Sequence, residues 1–163
     1  MPIVTLTKAE RDYALSLALK RQTENLSLGR RDAYGFSGAN GLLLHQHGVL
    51  CEFATAKGLR IQFRETTLGA PDIGRDIQVR GATRHHYGLI VHNEDPDHHR
   101  FVLTTHEQGS DEFHIRGWFY GRECKEPRFW RTSTGRPAFF VPQRLLHPIK
   151  TLVLEAIPVI ETS

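Results

Sequence analysis

Hydrophobic and polar residues alternate along this chain with two different periods, and each period marks a different kind of element. From Thr7 to Glu24, Tyr13, Leu15, Leu17 and Ala18 gather on one side at helical spacing, and Thr7 followed three residues on by Glu10 supplies a capping box. The pattern predicts a scaffold helix. Residues 25–40 are rich in Gly, Ser, Asp and Arg, which predicts a loop or irregular crossing in which Arg30 and Arg31 form a solvated pair, with contact to a ligand as the alternative. A second helix is expected from about His45 to Lys57, with Leu50, Phe53 and Ala54 on its buried side and Gly58 as its stop.

Beyond Gly58 the period shortens to two residues, the signature of extended chain. Leu59 to Glu65 reads as a strand with one wet face. Asp76 to Arg80 puts Ile77 and Val79 on one face and Asp76, Gln78 and Arg80 on the other. The apolar run Gly88 to His92 suits the middle of a sheet, and after the turn Asn93 to Asp97 the strand Arg100 to Thr105 is expected to return beside it as an antiparallel hairpin. Phe113 to Tyr120 reads as a further strand or a strand passing into a short helix, ended by Gly121. The basic, proline-interrupted stretch Lys125 to Pro137 reads as loop, Phe139 to Val141 returns to the core, and Arg144 to Leu154 reads as a closing helix broken at Pro148. Two helices followed by strands indicate an α+β domain on a single mixed β-sheet flanked by helices.

Composition narrows the picture. The 163 residues suit one domain, organised as an N-terminal helical segment 1–40, a core 41–120 and a C-terminal extension 121–163. No apolar run is long enough to cross a bilayer, and the N-terminus has no basic region leading into an apolar one, so a cytoplasmic protein is expected. Cys51 and Cys124 form no CxxC pair and are expected to be reduced, small apolar residues. The net charge of +3 permits nucleic acid without demanding it. Arginine dominates the cations, and its guanidinium favours bidentate contact with phosphate.

Candidate chemistry centres on residues 69–80, where Pro71 and Gly74 punctuate the approach to the Asp76 to Arg80 strand and set Asp72 at a turn or strand end. A helix bearing Glu52, then Pro71-Asp72, then Gln78-Val79-Arg80 resembles the pattern of the PD-(D/E)XK nuclease superfamily over roughly residues 45–105, and is similar to small phage-encoded members of it. The resemblance implies a restriction-endonuclease-like core and a divalent-metal-dependent nuclease cleaving phosphodiester bonds in DNA. Glu52, Asp72 and Gln78 would be metal ligands for Mg²⁺ or Mn²⁺, and Arg80 would stand at the lysine position. Glu52, Asp72, Gln78 and Arg80 would together form the catalytic set. A metal ion supports such chemistry by lowering the pKa of bound water and neutralising developing charge.

Two departures from the pattern matter. Gln78 offers a neutral carbonyl where a carboxylate is usual, which weakens metal affinity, and Arg80 cannot act as a base near neutral pH. Asp76 is an alternative ligand to Asp72, or a turn carboxylate paired with Arg75. These departures support the alternative of a catalytically inactive nuclease-fold protein that binds nucleic acid or a protein partner.

DNA is the expected partner ahead of RNA, with Lys57, Arg60 and Arg84 as candidate backbone contacts and Trp118 and Trp130 as candidate base-stacking residues. The oligomeric state is open, a homodimer included. Seven histidines, His85, His86, His92, His98, His99, His106 and His114, fall within thirty residues, but without the i, i+4 spacing of a zinc helix.

Overall fold

The computed structural model describes residues 1–27, 38–61, 63, 76–133 and 135–152. The chain opens with strand β1 (Ile3–Thr5) and two long helices, α1 (Lys8–Ser27) and α2 (Gly38–Gly58). Strands β2 (Ile77–Ala82), β3 (Leu89–Val91), β4 (Arg100–Thr105) and β5 (Glu112–Tyr120) follow, with a single helical turn α3 (Gly121–Cys124). The short strands β6 (Trp130–Arg131) and β7 (Ala138–Val141) come last, with 3-10 turns at Pro127–Phe129, Gln143–Leu145 and Ile149–Thr151.

The start of α1 forms as its residues dictate. The Thr7 hydroxyl accepts from the Glu10 amide at 3.1 Å while the Glu10 carboxylate accepts from the Thr7 amide at 2.8 Å. The end of α2 is less direct. Gly58 is its last helical residue, but the left-handed position belongs to Arg60 at φ 57°. The Ile61 amide reaches the Ala56 carbonyl at 2.9 Å and the Arg60 amide reaches Lys57 at 3.1 Å, a Schellman closure. Gly58 serves packing instead: a Cβ there would stand 2.5 Å from Ile115 and 2.7 Å from Val4. The expected strand from Leu59 is therefore a turn at Leu59 and Arg60, and residues 62, 64 and 65 of it lie outside the described residues.

The protein is α+β, but its strands form two sheets rather than one. Sheet A has the order β1-β5-β4-β2 with β2 parallel to β4, and sheet B has the order β3-β7-β6. The expected hairpin between residues 88–92 and 100–105 does not form. Both edges of β4 are taken, by β2 and β5, so β3 pairs with β7 and meets β4 across a layer of core. Every residue of β4 is buried, which makes it the central strand in place of β3.

Three apolar clusters fix the layers. Ala14, Leu17, Ala18 and Val49 seal α1 to α2. Cys51, Ala54, Ile77, Val79, Val102, Phe113 and Ile115 seal α2 to one face of sheet A. Leu89, Val91, Phe101, Leu103, Phe119, Phe129, Phe139 and Val141 fill the space between the other face of sheet A and sheet B. Residues 121–152 thus supply two strands of sheet B and part of that core. The expected closing helix is instead two separate 3-10 turns up to Leu152, because Pro142 and Pro148 each sit in extended conformation before a turn. Cys51 and Cys124 are both free and buried in different clusters, on opposite faces of sheet A. Among the described residues no helix is long and apolar enough to cross a membrane.

Candidate functional site

Strand β2 carries the polar row, and its alternation decides where that row points. Ile77 and Val79 join the core beneath α2, and Gly81 on the same face lets α2 settle so closely that a Cβ there would lie 2.9 Å from the Cys51 sulfur. Gln78 and Arg80 therefore project from the opposite face, toward sheet B. Glu52, half-buried on α2, belongs to the helix side. The body of sheet A stands between Glu52 and the Gln78–Arg80 row, and Asp72 lies outside the described residues. The convergence of Glu52, Asp72 and Gln78 on one pocket is not what the described part of the site forms.

Each member of the row is engaged by a residue far along the chain. Asp76 makes a two-point contact with Arg100, its oxygens 2.7 Å from Nε and 2.9 Å from a terminal guanidinium nitrogen, and its carbonyl accepts from the Arg100 amide at 2.8 Å. The Arg75 pairing considered from the sequence involves a residue outside the described set. Gln78 Nε2 lies 2.9 Å from His99 Nδ1. Arg80 pairs with Asp95 at 2.9 Å and lays its guanidinium 5.0 Å from the centre of the Phe101 ring. Asp95 in turn accepts from the His92 amide at 2.8 Å, and its carbonyl accepts from Lys125 at 2.6 Å. The row thus ties β2 to the turn between β3 and β4.

Such an arrangement is a poor fit to a divalent ion. Mg²⁺ and Mn²⁺ seek oxygen ligands carrying negative charge. Here the Asp76 and Asp95 carboxylates are each matched by a guanidinium, and Gln78 faces an imidazole. Among the described residues no group of three or more His, Cys, Asp or Glu side chains is placed to hold a metal ion.

The other candidate contacts scatter. Lys57 donates to the Thr5 carbonyl and to Glu10, both at 2.8 Å, and this ammonium, followed by the Thr7 amide, holds the Glu10 carboxyl below the usual carboxylate range. Arg60 is exposed just beyond the same end of α2, and Arg84 is exposed in the turn that follows β2. Trp118 is buried and donates from its indole nitrogen to Thr151 at 3.0 Å. Trp130 is exposed on β6.

The histidines are drawn into ring contacts, His85 on His114 and His106 on Phe113, each with centroids 4.0 Å apart. Burial lowers the pKa of His47, His85, His92 and His99 below the ordinary histidine value, assisted by His114 at His85, Arg136 at His92 and His98 at His99. A histidine held neutral in the fold but protonated when unfolded stabilises the fold above the unfolded value, about 6.5, and loses that contribution as pH falls through its folded value. The melting temperature is expected to fall between pH 7 and pH 5, by about 2–4 °C for each kcal/mol lost. Thermal unfolding followed by circular dichroism across that range checks this, and an unchanged or rising melting temperature contradicts it.

A different feature emerges from the end of the described chain. Residues 127–152 contain Arg128, Arg131, Arg136, Arg144 and Lys150 and no Asp or Glu. Arg128, Arg131, Arg144 and Lys150 are exposed. A window count of charge exposes this run in the sequence alone, whereas nothing local in the sequence marks Asp95, His99 or Arg100 as the partners of the β2 row. No family model, curated protein or solved structure matches this chain.

Proposed function

We propose that this protein binds nucleic acid through the acid-free, arginine-rich stretch 127–152, and that the Asp76–Arg80 row locks the fold rather than cutting phosphodiester bonds. The observation that carries the reading is the charge segregation: four exposed cations without an acid in their stretch, on a chain whose net charge is only +3. A run of exposed cations of this kind displaces counterions from a phosphate backbone without requiring a strongly basic protein. Local ion pairs temper it, since Arg128 pairs with Glu126 at 2.7 Å and Arg136 with Glu94, but both pairs are exposed and exchange readily for phosphate. DNA stands ahead of RNA as the partner.

The metal-dependent nuclease with a restriction-endonuclease-like core is the second reading. It rests on the order of Glu52, Pro71-Asp72 and Gln78-Val79-Arg80 along the sequence, with Asp72 outside the described residues. The neutralised carboxylates of the row favour binding over hydrolysis.

One experiment separates the two. Labelled DNA and RNA oligonucleotides are titrated with the protein under low salt, with and without Mg²⁺ or Mn²⁺, and followed by anisotropy and by gel. Binding without cleavage is expected, with affinity reduced about tenfold or more in the triple variant Arg128→Gln, Arg131→Gln, Arg144→Gln. Metal-dependent cleavage abolished by Asp72→Asn would establish the nuclease instead. Absence of binding to either polymer removes both readings.

A further inference from the structure

We infer that the edge strand β6 is a stacking platform for an unpaired base, so that the partner of the basic stretch is single-stranded nucleic acid. The inference rests on the nucleic-acid reading above and names the form of the polymer.

Among the described residues β6 closes sheet B on one side, since the sheet order is β3-β7-β6 and β6 pairs with β7 alone. Both of its residues, Trp130 and Arg131, are exposed. The indole stands in register with Phe139 of β7, the ring centroids 4.8 Å apart and tilted by 59°. Phe139 is itself part of the buried core, so the tryptophan is anchored from behind while 36% of its surface stays open. A platform needs this combination of fixed position and open face.

Cations flank it on both sides. Arg128 lies over the Phe129 ring at 4.5 Å, and Arg131 donates to the Arg128 and Trp130 carbonyls at 3.0 and 2.9 Å, which holds its guanidinium against the backbone on either side of Phe129. A base on the indole would place its phosphates among these charges. A duplex conceals the faces of its bases, so an aromatic ring at an edge gains little from it, whereas an unpaired base stacks on any open ring. The competing explanation is that Trp130 is only a cover over Phe139. Such a cover changes stability when removed and leaves binding alone.

The two tryptophans make the test direct. Trp118 is buried and bonded to Thr151, so quenching on ligand addition reports Trp130. Intrinsic fluorescence and anisotropy are measured while the wild type and the variants Trp130→Phe and Trp130→Ala are titrated with a labelled oligothymidylate and with a duplex of equal length. Quenching by the single strand but not the duplex is expected, with the affinity of Trp130→Ala for the single strand lowered about tenfold and that of Trp130→Phe lowered less. Equal binding of both forms without quenching, or an unchanged affinity in Trp130→Ala, overturns the platform and leaves the basic stretch as the binding surface. Failure of both polymers to bind overturns the broader reading as well.

Discussion

Replacing Asp76 with alanine is expected to lower the melting temperature by about 10 °C, the largest effect of any single substitution in the β2 row. The Arg100 side chain is 7% exposed and is held at two points by the Asp76 carboxylate. Removing the acid leaves a guanidinium that cannot lose its proton in a place water hardly reaches, and breaking a buried pair in this way costs about 3–5 kcal/mol. At about 2–4 °C per kcal/mol the melting shift follows. The double variant Asp76→Ala, Arg100→Met is expected to recover much of the loss, because an apolar pair removes the stranded charge together with its partner. Differential scanning calorimetry of the three proteins decides it. A single variant as stable as the wild type would show that Asp76 is not the partner on which Arg100 depends.

The second large effect concerns salt. Raising the ionic strength from about 50 mM to about 200 mM is expected to weaken single-strand binding roughly fifty-fold, taking a slope near −0.7 per neutralised phosphate and the exposed Arg128, Arg131, Arg144 and Lys150 as the contacts. The slope itself carries information. Each arginine changed to glutamine should reduce it by somewhat less than one unit, whereas Trp130→Ala should lower affinity without changing it, because stacking releases no counterions. A salt-independent affinity would mean that the cations are only a solvated surface and that any partner is held by other means.

The stability and binding experiments bear on different residues. Asp76, Gln78 and Arg80 looked from the sequence like a row of ligands because alternation put three polar side chains on one side of a strand. Within the strand that much is legible and correct: Ile77 and Val79 are buried beneath α2 and Gln78 and Arg80 share the other face, whereas Asp76, one residue before the strand, meets Arg100, which stands opposite Ile77 and Tyr120 on the α2 face. What alternation does not contain is the identity of the layer opposite. Sheet B covers that face, and His99 and Asp95 arrive there from the turn that follows β3.

Features carried by a local signal were readable from the amino acids alone, whether a capping box whose partners lie three residues apart or a run of extended-chain residues that marks a strand whatever strand it later pairs with. The Thr7–Glu10 capping box, the alternation of β2, and strands β4 and β5 with Gly121 after them all belong to this class. Tertiary structure decided everything that depends on a distant partner. The run at Leu89–Val91 has the composition of a central strand, yet β2 and β5 occupy both edges of β4, so it pairs with β7 fifty residues later in the chain and becomes an edge. Gly58 has the composition of a helix stop, yet the close approach of Val4 and Ile115 requires its missing side chain, and Arg60 takes the left-handed position. Asp76 has the composition of a ligand, yet the buried guanidinium of Arg100 claims it, since an unpaired charge inside the fold would cost more than any local preference offers.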